Sequence, residues 1–239
     1  MALQKVAGEK LYIGGVLSDK AADFVASDFS SQTWTLIDGY SSRPPIGDEA
    51  VEIATDLINR GRTIVQKGTR RSPTGEHRFA AIANDAGQVA MKAAASSNSN
   101  YAFRLVKDDA TSKTSTVTIT IASPGVVTWA SHGLQDGNTI SFTTTGALPT
   151  GLTAGTTYYV KYVDANTFQL AATSGGTAIV TSGTQSGTHT ATAMPSGTTL
   201  YYIGLVMSKS DQGGEANTAS MLSFNVAPNS NIVEVPVAA

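Results

Sequence analysis

The chain has 239 residues, a formal net charge of −2 and no cysteine, which excludes disulfides, thiolate catalysis and cysteine-based structural zinc sites. Only 14% of residues are charged, against about 25% in an average soluble domain, and near-neutrality supplies no global attraction to nucleic acid or to an anionic membrane. There is no run of about 18 apolar residues and no basic-then-apolar leader in "MALQKVAGEKLYIGG", so the sequence predicts a soluble protein made in a cytoplasm.

"LYIGG" (11–15) and "QTWTLIDG" (32–39) read as short strands closed by glycine. "EAVEIATDLI" (49–58) alternates, with Val51, Ile53 and Leu57 on one face and Glu52 and Asp56 on the other. That pattern predicts a half-buried strand with an acidic outer face. "NRG" (59–61) suits a hairpin turn and "RTIVQKG" a returning strand. From Arg60 to Arg78 the chain is basic, through Arg62, Lys67, Arg70 and Arg71, with Glu76 alone opposing. Its centre, "TRRSPTGEH", has turn residues and no apolar anchor, so an exposed, mobile loop containing His77 is expected there. "HRFAAIA" (77–83) resumes a strand. "NDAGQVAMKAAASSNSN" is the one convincing helix, with Asn84 or Asp85 as N-cap and Val89 and Ala93 spaced for one face. "YAFRLVKDD" (101–109) is again a strand followed by a turn.

At residue 115 the composition changes. Between Ser115 and Met194 only Asp136, Lys161 and Asp164 are charged. Val117, Ile119 and Ile121 alternate with threonines, as do Ile140 with Phe142, Tyr158 with Val160 and Tyr162, and Phe168 with Leu170; "SPG", "QDGN", "LPTG" and "SGGT" supply turns. After it, "TLYYIGLVMS" (199–208), "SMLSFNVAP" (220–228) and "NIVEVPV" return to the earlier style. The expected organisation is a core domain in two pieces, 1–114 and 195–239, interrupted by a self-contained β domain at 115–194. The expected fold class is mainly β: a β-barrel or sandwich with one flanking α-helix, plus the small all-β insertion.

No catalytic constellation is visible. His132 ("SHGL") reads as a turn residue, and His132 with His189 makes at most half a metal site without a carboxylate cluster. "GQVAMK" matches neither a phosphate-binding nor a dinucleotide fingerprint. Asp108 and Asp109 point in different directions, and Glu52 with Asp56 lacks a pocket signature. No enzyme activity and no cofactor are therefore expected. The basic stretch is the strongest electrostatic feature; it lacks aromatic residues for base stacking, which favours a protein partner over nucleic acid.

The order of short N-terminal strands, "DEAVEIATDLINRGRTIVQKGTRR", the Ala-rich helix (85–97), "YAFRLVKDD", "YYIGLVMSKSDQGGEANTASMLSFNV" and "NSNIVEVP" resembles the major tail tube protein of long-tailed bacteriophages. The middle segment, with "HGL-x-x-G", "LP-x-GL-x-x-GT-x-YYV" and "TFQLA", is similar to a β module of phage tail and fibre proteins. The resemblance implies a virion tail protein that stacks rings, usually hexameric, into a hollow tube. It implies contacts to other copies and to tape measure, terminator and distal tail proteins. It further implies that DNA passes through the lumen without specific binding and that no membrane is involved. The same resemblance places the insertion on the outer surface. Within that frame Arg60, Arg62, Lys67, Arg70 and Arg71 are the expected inter-ring contact, and Glu52 and Asp56 the expected lumen-facing acids. A terminator or decoration protein is the alternative, as is a carbohydrate-binding module stacking sugars on Trp129, Tyr158 and Tyr159.

Overall fold

The computed structural model describes residues 5–237. Sixteen strands and one α-helix follow in chain order: β1 (Lys10–Val16), β2 (Thr35–Ile37), β3 (Tyr40–Ser42), β4 (Glu49–Thr55), β5 (Ile64–Arg71), β6 (Gly75–Ala80), α1 (Ala86–Ala94), β7 (Tyr101–Val106), β8 (Lys113–Ile119), β9 (Val126–Thr128), β10 (Thr139–Thr144), β11 (Tyr158–Tyr162), β12 (Thr167–Ala171), β13 (His189–Met194), β14 (Thr199–Gln212), β15 (Met221–Pro228) and β16 (Val233–Val235). The protein is mainly β: an eight-stranded antiparallel sheet, a six-stranded closed barrel, a two-stranded ribbon and one short helix. By its internal contacts the chain divides into two compact units, one built from residues 6–107 and 199–235, the other containing 108–198.

In the first unit the strand order is β2-β1-β7-β14-β15-β6-β3, with β16 against the start of β14. Strand alternation sends Leu11, Ile13, Phe103, Leu105, Leu200, Tyr202 and Phe224 to one face, where Met91 and Ala94 of α1 complete a core. On the opposite face Ala102 and Ile203 are covered by Phe24 and Phe29, the latter in a short 3₁₀ turn at Ala26–Phe29. In the second unit the barrel closes in the order β10-β11-β12-β9-β8-β13. Val117, Ile119, Ile140, Phe142, Tyr158, Val160, Phe168 and Leu170 fill its interior, as their alternation predicts. Ile121, past the end of β8, and Tyr162, at the last position of β11, are exposed instead.

The helix is where expected, and its buried face is not. Asp85 is the N-cap, accepting the Gln88 N–H at 2.7 Å. Val89, expected inside, is exposed, while Gly87, Gln88, Met91 and Ala94 are buried. Gln88 holds that position because its amide satisfies loop backbone. Its Nε2 donates to the carbonyls of Asp38 (2.9 Å) and Ala80 (2.8 Å), and its Oε1 accepts from the Ile82 N–H (3.1 Å). Gly87 lets the helix touch β2: a Cβ there would stand 2.2 Å from the Leu36 carbonyl oxygen. Gln88→Met keeps the side-chain size and removes all three bonds. An unmade buried bond costs about 1–3 kcal/mol, so urea unfolding of this unit should report a loss of about 2–4 kcal/mol.

Candidate functional site

The segment Glu49–Arg71 folds as a ribbon, β4 paired with β5 and with no other strand. Its register sets Glu49 opposite Arg71, Ala50 opposite Arg70, Glu52 opposite Lys67 and Ala54 opposite Val65, with a bulge between Ala50 and Glu52. Within β4 the alternation read from sequence holds, with Val51 and Ile53 on one face and Glu52 on the other, while Asp56 and Leu57 lie past the end of the strand. The expected half-burial does not hold. Every residue from Val51 to Thr63 is exposed, and Val51 (51%), Ile53 (48%) and Val65 (58%) keep about half their surface in water. Strand periodicity demands a covered face, but among the described residues none of Val51, Ile53 and Val65 belongs to the unit's hydrophobic core.

The expected mobile loop around "TRRSPTGEH" is replaced by strand. β5 continues to Arg71 because its ladder to Glu49 and Ala50 persists, and β6 begins at Gly75 because β15 supplies a partner from Val226 onward. Only residues 72–74 connect them. The segment is also pinned at its start, where Arg43 Nε donates to the nearly buried Glu9 carboxylate at 2.5 Å.

The structure divides the predicted contact residues. Lys67 and Arg71 each stand across from a carboxylate of their own ribbon, Glu52 and Glu49, a favourable cross-strand arrangement that accounts for both without a partner. Arg60 and Arg62 lie in the loop at the ribbon tip, and Arg70 stands across from alanine. Arg70 and Arg71 line a depression of about 290 Å³ at the ribbon base with Asp23, Asp48 and Asn229. None of the five basic residues makes an ion pair among the described residues. Asp56 accepts from the Thr63 hydroxyl at 2.6 Å, and Glu52 projects into solvent.

The three histidines are buried and hydrogen-bonded within the fold. His77, expected in the basic loop, is on β6 and 2% exposed, with Nδ1 hydrogen-bonded to the Tyr40 hydroxyl at 2.6 Å. Burial, aided by the Arg43 charge, lowers its pKa from 6.5 to about 4. A histidine held neutral inside stabilises the fold fully above pH 6.5, and the contribution is lost as pH falls from 6.5 toward 4, where only the unfolded chain gains the proton. The gap corresponds to about 3 kcal/mol. Denaturant midpoints should fall over this window and His77→Gln should flatten the fall; equal pH slopes for both proteins would refute it. His132 is buried, with Nδ1 accepting the Leu134 N–H and Nε2 on the Asp164 carbonyl; His189 bonds Thr144 and Gln185. Trp129 and Tyr158 point into the barrel, which leaves Tyr159 alone of the three aromatics proposed to stack sugars.

Sequence reasoning missed Ile58. It is fully exposed at the ribbon tip, in a turn closed by the Arg60 N–H to the Leu57 carbonyl at 3.0 Å. The signal was present, since "DLINRG" puts two large apolar residues directly before a turn. No protein-family model matches the chain, and a search of the curated proteins finds no match.

Proposed function

We propose that the protein is a structural subunit of a long-tailed phage virion, assembling into stacked rings that form the tail tube, with the Glu49–Arg71 ribbon as an assembly arm. The observation that carries this reading is the uncovered ribbon. A lone two-stranded hairpin is marginal in water, and one exposing Val51, Ile53, Leu57, Ile58 and Val65 along its length gains stability by burying them on another chain. The unpaired Arg60, Arg62 and Arg70 add charge for that contact. A copy of the same chain is the occupant this reading favours, because the strand and motif order resembles a protein that assembles with itself. Tape measure, terminator and distal tail proteins then meet the ends of the tube, and DNA travels through the lumen. A net charge of −2 suits a conduit better than a DNA-gripping protein. Electron microscopy of the purified protein in negative stain tests this: hollow tubes or stacked rings are expected, and particles that remain monomers at all concentrations overturn it.

A further inference from the structure

The sheet carries a second unsatisfied surface, on the face away from Leu11 and Leu105. Its register aligns Leu36, Tyr12, Arg104 and Tyr201 in one row across β2, β1, β7 and β14. The Arg104 guanidinium carbon lies 4.2 Å from the centre of the Tyr12 ring and 5.1 Å from that of Trp34, and Trp34 leans on Tyr201 at 5.8 Å. This row is only partly covered, and Leu36 is 39% exposed. Arg104 makes no ion pair among the described residues, and its Nε is buried without a hydrogen-bond partner. A cation flanked by aromatic rings is shielded from water, so a carboxylate reaching it meets a stronger field than on an open surface.

The ribbon tip offers the complement. Asp56, Leu57 and Ile58 follow one another there; the carboxylate of Asp56 makes no ion pair among the described residues, and Ile58 is fully exposed. A small apolar knob beside a negative charge matches an aromatic row around a positive one, in size and in sign.

Resting on the self-assembly proposed above, we infer that the ribbon tip of one copy docks on this sheet face of the next. Ile58 and Leu57 lie against Tyr12, Trp34 and Leu36, and Asp56 faces Arg104. The two surfaces are different parts of one chain, so the contact is head to tail. Such contacts close into rings or extend into filaments rather than stopping at a dimer.

Because the chain has no cysteine, the contact can be read by disulfide trapping. Leu36→Cys and Ile58→Cys proteins, mixed under assembly conditions and oxidised, are expected to form a cross-linked heterodimer. The control mixture of Ile58→Cys with Val180→Cys, an exposed barrel position, is expected not to. If the protein assembles and the first pair links no faster than the control, the tip docks elsewhere and this inference falls, while the self-assembly reading stands. If the native protein never assembles, both fall. A charge swap adds a second arm. Arg104→Glu and Asp56→Arg should each raise the concentration needed for assembly about tenfold or more, and the double variant should restore it. A double variant no better than the poorer single one overturns the Asp56–Arg104 pairing. The trapping arm keeps native Arg104, so a folding defect in the swap variants leaves it intact.

Discussion

A chain carrying Arg60→Glu, Arg62→Glu and Arg70→Glu is expected to fold as the native chain does and to build no tubes. These three are chosen because no carboxylate of their own ribbon stands across from them, whereas Lys67 and Arg71 face Glu52 and Glu49. Reversal at Lys67 or Arg71 would place like charges opposite one another and weaken the ribbon itself. Reversal at the other three leaves the fold untouched, since all are exposed. An exposed ion pair contributes only about 0–1 kcal/mol, but three are converted from attraction to repulsion in each contact, and a ring repeats the contact at every subunit. Thermal unfolding should match the native protein, while light scattering and negative-stain microscopy should show no growth. Native assembly should also weaken as salt rises, because surface charges are screened beyond about 3 Å at 1 M. Tubes of ordinary length from the triple variant would remove the ribbon's basic residues from the assembly mechanism.

Excising the barrel is expected to leave a folded protein that still assembles. β7 ends at Val106 and β14 begins at Thr199, and these two residues are direct antiparallel partners. Their Cα atoms are therefore about 5 Å apart, a span that a two-residue turn closes. Replacing 107–198 by Asn-Gly would turn β7 and β14 into an ordinary hairpin without disturbing the Leu105–Leu200 or Phe103–Tyr202 pairs. The excised segment carries a core of its own, with Phe142, Phe168 and Val127 fully enclosed, and should fold when expressed by itself. Calorimetry of the two pieces checks both halves of the claim, and microscopy of the shortened chain checks assembly. A shortened chain that is folded and never forms tubes would give the barrel a part in the contact.

Composition and alternation carried the fold a long way. Tyr158–Val160 and Phe168–Leu170 announced a barrel interior because an inward residue must be apolar and its neighbours need not be, so period two is written directly in the sequence. The same rule misjudged β4. Val51 and Ile53 alternate as core residues do, and sequence cannot distinguish a face covered by its own chain from one left for another. The helix face was misread for a different reason: Gln88 looks like a surface residue until Asp38, Ala80 and Ile82 are brought within reach of its amide, and that proximity is tertiary. His77 looked exposed because its sequence neighbours are charged; β15 and Tyr40 bury it. Tyr12 and Arg104 were each legible as the odd residue between two apolar ones in "LYI" and "FRL". That they stack on each other depends on the β1–β7 register, which no local pattern encodes.

The pairing of β7 with β14 also bears on how the chain is made. These strands lie at the middle of the eight-stranded sheet, yet the residues between them comprise the whole barrel. During synthesis from the N-terminus, β7 emerges with an open edge and waits until the barrel segment has been translated before its partner exists. Closing so long a loop is entropically costly when the loop is slack, and the cost falls once the barrel has folded and drawn residues 108 and 198 into one compact body. The barrel should accordingly gain native structure before the sheet that holds its ends, with the unfinished sheet exposing Phe103 and Leu105 in the interval. Ribosome-bound chains arrested far enough past residue 198 for the barrel, and not β14, to have cleared the exit tunnel would carry a protected barrel beside a protease-sensitive N-terminal segment.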